Sequence, residues 1–227
     1  MKDKIIVALD FDKAGEAKQL VDDLQEADFF KVGLQAFLGF GDELIAYLKH
    51  KNKKLFLDLK FKDIPNTLYG AVKSSLKYDP YFLTIHLSGG AEMIKKAVEA
   101  AEEKPGLAIL GVTVLTSLSD GDLKETGIDL STGDAVIRLC ELGVKNGLNS
   151  FVCSPREIEP IRKRFGQDVV LVTPGIRPAW AAKGDQKRVF TPGMAIAAGS
   201  NYLVIGRPIN CSDNPAAAFA KILAEIS

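Results

Sequence analysis

Between positions 58 and 63 the chain reads Asp-Leu-Lys-Phe-Lys-Asp, two carboxylates and two amines within six residues. The run just ahead, Leu55-Phe56-Leu57, has the apolar character of a buried strand. Burying charge is costly unless the groups are paired or put to use. Side chains alternate along a strand, so Asp58 and Lys60 share one face while Leu57 and Leu59 share the other. A lysine held beside a carboxylate can act as an acid or as an electrophile toward developing negative charge. Asp63 admits two readings. Followed by Ile64-Pro65, it has the form of a helix N-cap with proline in the first turn. Alternatively, its carboxylate reaches a site across a subunit boundary.

A second set of residues suits an anion. The segments TPGIR (173–177) and IGRPI (205–209) each place a glycine within two residues of an arginine. Glycines let backbone N–H groups approach an oxyanion, and Arg207 can add charge-assisted bonds. The simpler reading of Gly175 and Gly206 is a pair of tight turns; two glycines with arginines nearby favour phosphate. Metal and serine-nucleophile motifs are absent: there is no HxH, HExxH or Gly-x-Ser-x-Gly, and Lys31 stands where a carboxylate ligand could have been expected.

Eight short β-branched or aromatic runs can position these groups: 4–10, 29–33, 55–60, 82–86, 107–116, 150–154, 169–176 and 202–209. Segments of helical period separate them, and NPAAAFAKILAEI closes the chain. Near-continuous apolar strands alternating with helices predict a parallel sheet, and eight units close into a (β/α)8 barrel, the TIM-barrel architecture. A doubly wound open sheet is the alternative, but no Gly-x-Gly-x-x-Gly follows the first strand. The predicted strand ends carry Asp10, Lys31, Asp58, Lys60, His86, Thr116, Ser154, Gly175, Gly206 and Arg207, all at the end where barrel enzymes place their chemistry. His86, alone on an apolar strand, reads as a hydrogen-bonded core histidine. Two long connections at that end, 117–133 and 177–193, are lid candidates.

The 227 residues show no composition break and read as one domain. Lys plus Arg (29) equals Asp plus Glu (29), so no global charge draws the chain to nucleic acid or an anionic membrane. Its longest nearly uncharged apolar stretch, 107–115, is too short to span a bilayer, and MKDKIIVALDFD reads as a strand rather than a signal peptide. Three widely spaced cysteines without CxxC suit a reducing cytosol.

With these residues assembled, the chain resembles the orotidine 5′-monophosphate decarboxylases in their compact bacterial form. The resemblance spans nearly the whole chain. It rests on ALD (8–10), KVG (31–33), DLKFKDIPNT (58–67), HLSGG (86–90), VTVLTS (112–117), TPGIRP (173–178), GDQKRVFTP (184–192) and NYLVIGRPI (201–209). It implies decarboxylation of orotidine 5′-monophosphate to uridine 5′-monophosphate in cytoplasmic pyrimidine synthesis, without metal or organic cofactor. Lys60 matches the proton donor to C6, Asp58 and Lys31 its charged neighbours, and Asp10 the ribose ligand. Asp63 and Thr67 match residues that reach into a partner's site, which implies a homodimer. Thr116 and Ser117 match contacts to the pyrimidine. Arg177, Gln186, Gly206 and Arg207 match the phosphate grip, and Ile64 and Pro174 are further substrate-binding positions. Departures from the family pattern are Lys62 for a common histidine, HLSGG for HASGG, and FTPGMA for a TPREA-like run.

Three other functions compete. Magnesium-dependent keto-gulonate-phosphate decarboxylases and hexulose-phosphate synthases share Asp-x-Lys-x-x-Asp but carry a metal-binding glutamate where this chain has Lys31. A Schiff-base aldolase needs a lysine activated by burial or cationic neighbours, against which Asp58 and Asp63 weigh. A phosphate-binding barrel without catalysis leaves the charges of 58–63 without a task.

Overall fold

The computed structural model describes residues 1–181 and 190–227. Eight strands follow the apolar runs: β1 (Ile5–Ala8), β2 (Phe29–Gly33), β3 (Lys54–Phe61), β4 (Phe82–His86), β5 (Ala108–Val112), β6 (Ser150–Val152), β7 (Val170–Thr173) and β8 (Tyr202–Ile205). Each pairs in parallel with the next, and β8 returns to β1 with Leu203 opposite Ile5, so the sheet closes. The helices before β5 are α1 (Ala14–Asp23), α2 (Leu34–His50), α3 (Pro65–Ser75) and α4 (Ala91–Ala101). Beyond β5 come α5 (Asp120–Glu125), α6 (Thr132–Lys145), α7 (Ile158–Phe165), α8 (Pro192–Ala197), α9 (Arg207–Asn210) and α10 (Pro215–Ile226). This is the (β/α)8 TIM barrel. No helix of the described residues is long and apolar enough to cross a membrane.

Alternation along the strands sorts the core into two layers. Outward residues such as Val7, Val32, Leu57, Leu59 and Ile85 pack against helix residues such as Leu44, Leu68, Met93 and Ile94. On α4 the buried set Met93, Ile94, Ala97, Ala100 and Ala101 follows the three-and-four spacing of one helical face. Inward residues near the strand starts form a separate aromatic plug. Phe29 and Phe82 lie 5.4 Å apart, and Phe56 meets Phe82 edge-on at 5.8 Å. Two residues further along β2, β3 and β4, the same inward face carries Lys31, Asp58 and Thr84. The plug is therefore the floor, and polar groups begin one step above it.

Several strands are shorter than their apolar runs. The run 107–116 pairs only over Ala108–Val112, the extent of its ladder with β4, which ends with His86 opposite Val112. β7 stops before Pro174, which has no N–H for the ladder. β8 stops before Gly206, whose φ −112° and ψ −99° leave the strand region. The residues released this way, Val114 to Thr116, Pro174 to Arg177 and Gly206 to Pro208, become the rim of a cavity.

Candidate active site

A cavity of about 340 Å³ opens at the C-terminal ends of the strands. Its wall includes Asp10, Lys31, Asp58, Lys60, Thr116, Pro174, Gly175, Arg177, Gly206 and Arg207, drawn from six of the eight strand ends. Phe56 supplies the floor, and Val112, Val114, Val152, Ile176 and Val204 supply apolar sides. Ion-paired groups on β1 to β3, arginines after β7 and β8 and apolar side chains between suit a flat ring carrying an anion.

The charged edge alternates in sign. Lys31 Nζ lies 3.1 Å from Asp10 Oδ1 and 3.5 Å from Asp58 Oδ2. Lys60 Nζ donates to both Asp58 oxygens, at 2.7 and 2.8 Å. Asp58 is buried, and burial alone would raise its carboxyl; the charges of Lys31 and Lys60, with hydrogen bonds from Lys60 and Thr84, outweigh this and hold it below the usual carboxylate range. Asp58 is thus a fixed anion that locates two ammonium groups. Gly33 makes room for the arrangement, since a Cβ there would sit 2.9 Å from Lys31 Nζ and 3.2 Å from Asp10 Oδ1.

The local backbone of β3 is irregular at this point. Leu57 pairs with Leu83 and Phe61 with Ile85, so the three residues 58–60 stand opposite Thr84 alone. Lys60 adopts φ +50°, in the left-handed region that side chains with a Cβ rarely enter. Its N–H donates to Thr84 Oγ1 at 2.8 Å, and that hydroxyl donates to Asp58 Oδ1 at 3.0 Å. The bulge turns the end of the strand while Asp58 and Lys60 remain paired.

The cationic edge lies on β7 and β8, and β8 is the neighbour of β1 in the closed sheet. Gly175 has φ +79°, a turn that glycine permits after Pro174. Arg177 N–H donates to Phe190 O at 3.1 Å. Asn210 Nδ2 donates to Ala8 O at 2.8 Å, anchoring α9 and with it Gly206 and Arg207 against β1. Gln186 lies outside the described residues.

Other predicted positions stand apart from the cavity wall. Asp63, Ile64, Thr67 and Ser117 are exposed. Asp63 is not the helix cap: Ile64 is the N-cap of α3, Pro65 is in its first turn, and among the described residues Asp63 Oδ1 accepts from the adjacent Ile64 N–H alone, at 2.7 Å. Proline forces the residue before it into extended conformation, which makes Ile64 the boundary and moves Asp63 one place outside. Ser154 serves the backbone instead, its N–H donating to Glu157 Oε2 at 2.6 Å. His86 is half-buried, and among the described residues no hydrogen bond reaches its imidazole, so it is not a satisfied core histidine. Burial first, then the charges of Lys62 and Lys60, push its pKa down. The loop 117–133 contains α5, capped by Ser119 with Asp122, and Asp120 Oδ1 accepts from Thr132 N–H at 2.7 Å.

Sequence reasoning missed Thr84, Gly33 and the apolar wall. Alternation could have found the wall residues, and KVG contained Gly33. Thr84 carried no signal, because its role depends on a bulge in another strand.

Comparison with known proteins agrees with this geometry. Residues 3–222 match the model of the orotidine 5′-phosphate decarboxylase / HUMPS family. The chain is 47% identical to orotidine 5′-phosphate decarboxylase of Haemophilus influenzae strain Rd, over 95% of each chain. It is 42% identical to that of a Synechocystis strain, over 99% of this chain and 98% of the relative. A crystal structure of orotidine 5′-phosphate decarboxylase from Lactobacillus acidophilus superposes with a TM-score of 0.87 at 35% identity, covering 99% of both chains. Family match, near full-length identity and shared architecture coincide, and the chain belongs to the orotidine 5′-phosphate decarboxylase / HUMPS family.

Proposed function

We propose that this chain is a single catalytic domain that decarboxylates orotidine 5′-monophosphate to uridine 5′-monophosphate in pyrimidine biosynthesis. The observation that carries the reading is Lys60 held bidentately by buried Asp58, in a cavity that Arg177 and Arg207 also line. Loss of CO2 leaves a carbanion at C6 that the ring cannot delocalise conventionally. Lys60 supplies positive charge where the negative charge develops, and then the proton. An ammonium about 4 Å from a unit negative charge contributes about 4 kcal/mol at an effective dielectric near 20. Because Asp58 already fixes it, little reorientation is needed as charge forms.

Lys31, between Asp10 and Asp58, places an ammonium where a divalent cation would require a carboxylate. That favours metal- and cofactor-independent chemistry over the magnesium-dependent sugar-phosphate reactions. Arg177, Gly206 and Arg207, with Gln186, are assigned to the phosphate, and Pro174 to substrate binding. Thr116 and Ser117 are assigned to the pyrimidine, and Asp10 to the ribose.

The active unit in this reading is a homodimer. Leu34 and Leu38, at the start of α2, are 57% and 77% exposed, and Ile64, on the next connection round the barrel, is 68% exposed. Apolar side chains on adjacent connections suit a second copy of this chain. Asp63 and Thr67 stand on the same rim and would enter the partner's site, with Ile64 beside them. Three free thiols and this metabolic role support a cytoplasmic enzyme. The test is direct: the protein is incubated with orotidine 5′-monophosphate in excess EDTA and uridine 5′-monophosphate is measured. No product would overturn the assignment.

A further inference from the structure

We propose that Thr84 is a positioning residue for the decarboxylation, its hydroxyl locking the bulged backbone of Lys60 to the carboxylate of Asp58. The inference rests on the function proposed above. Thr84 is completely buried and is not part of the cavity wall, so it does not touch substrate. Its single hydroxyl makes two bonds with opposite roles. It accepts from Lys60 N–H at 2.8 Å and donates to Asp58 Oδ1 at 3.0 Å. Lys60 Nζ then returns to the same oxygen at 2.7 Å, so backbone, hydroxyl, carboxylate and ammonium form one closed ring.

This ring answers a specific need. Lys60 sits at φ +50° within a strand, unlike Asn52 and Asp79, which have positive φ outside strands. Three residues of β3 face one of β4, so the regular ladder has no partner for the Lys60 N–H. The Thr84 side chain takes the place of that partner. Strained backbone persists only where its surroundings over-determine it. Losing the hydroxyl frees Lys60 to relax toward ordinary strand dihedrals, which moves its ammonium relative to the reacting carbon.

The experiment compares Thr84→Val, of similar shape without the hydroxyl, with Thr84→Ser, which keeps it. Displacing the Lys60 ammonium by up to about 1 Å from the reacting carbon corresponds to roughly a tenfold to hundredfold loss in kcat. Thr84→Val should show that loss with KM for orotidine 5′-monophosphate nearly unchanged, because the residues assigned to the phosphate follow β7 and β8 rather than β3 or β4. Thr84→Ser should recover most of wild-type kcat. If Thr84→Val does not fold, Thr84→Cys, with a weak thiol donor, should fall clearly below Thr84→Ser. Full kcat in Thr84→Val or Thr84→Cys overturns the proposal, as does a Thr84→Ser variant no better than Thr84→Val. A wild-type protein without decarboxylase activity would instead overturn the proposed function, so the two failures are distinct.

Discussion

Gly33→Ala separates activity from stability in this protein. The backbone of Gly33, at φ −90° and ψ 179°, is open to any residue, so alanine brings no dihedral strain. Its methyl group would nevertheless lie 2.9 Å from Lys31 Nζ and 3.2 Å from Asp10 Oδ1. Ordinary contact begins near 3.4 Å, so the ammonium must retreat by about 0.5 Å. A 1 Å misplacement at a catalytic centre can cost about a hundredfold, which makes about tenfold a fair expectation for half that distance. The unfolded chain, by contrast, loses freedom when glycine becomes alanine, a stabilising effect of about 0.4–1 kcal/mol that offsets the local crowding. Decarboxylation followed by substrate absorbance should therefore show kcat/KM down by about tenfold, while the thermal midpoint stays within about 3 °C of wild type. Undiminished kcat/KM would refute the claim that Lys31 must stand between Asp10 and Asp58. A matching collapse of the thermal midpoint would reduce Gly33 to a packing residue.

Other perturbations probe the remaining parts of the account. Arg207→Ala should depress kcat/KM strongly for orotidine 5′-monophosphate but barely change turnover of the phosphate-free nucleoside; equal losses would remove the phosphate assignment. Lys60→Ala and Asp63→Ala should each be nearly inactive alone, yet mixing them after subunit exchange should restore about a quarter of wild-type activity, since half the dimers then hold one intact site. No recovery despite proven exchange would contradict a shared site. His86 has a folded-state pKa below 6.5, so between that value and 6.5 the unfolded chain binds the extra proton and stability falls as pH falls. His86→Gln should flatten the urea midpoint across that window, and an unchanged slope would show that another group governs it.

Much of this site was legible because period-two alternation is a strong rule. It placed Asp58 and Lys60 on the lumen side and Leu57 and Leu59 against the helices, where they are found. Eight apolar runs between helical segments sufficed for the barrel. What could not be read depends on partners distant in sequence. The bulge at Lys60 is defined by Thr84, twenty-four residues on, and nothing in DLKFKDIPNT announces it. Strand ends were over-extended because an apolar run does not reveal when its neighbour stops, as β5 stops at Val112 opposite the last residue of β4. Of the two readings of Asp63, the helix cap was off by one position, although the rule for residues preceding proline already favoured Ile64. Lys62, the remaining charge of the stretch, is exposed and helps keep His86 neutral.

The most direct test of the central claim follows orotidine 5′-monophosphate absorbance, in EDTA, with wild-type protein and with Lys60→Ala. The account predicts steady conversion by wild type and a loss of at least about a thousandfold in kcat for the variant, since one group supplies both charge and proton. A Lys60→Ala enzyme that retains the wild-type rate would contradict it.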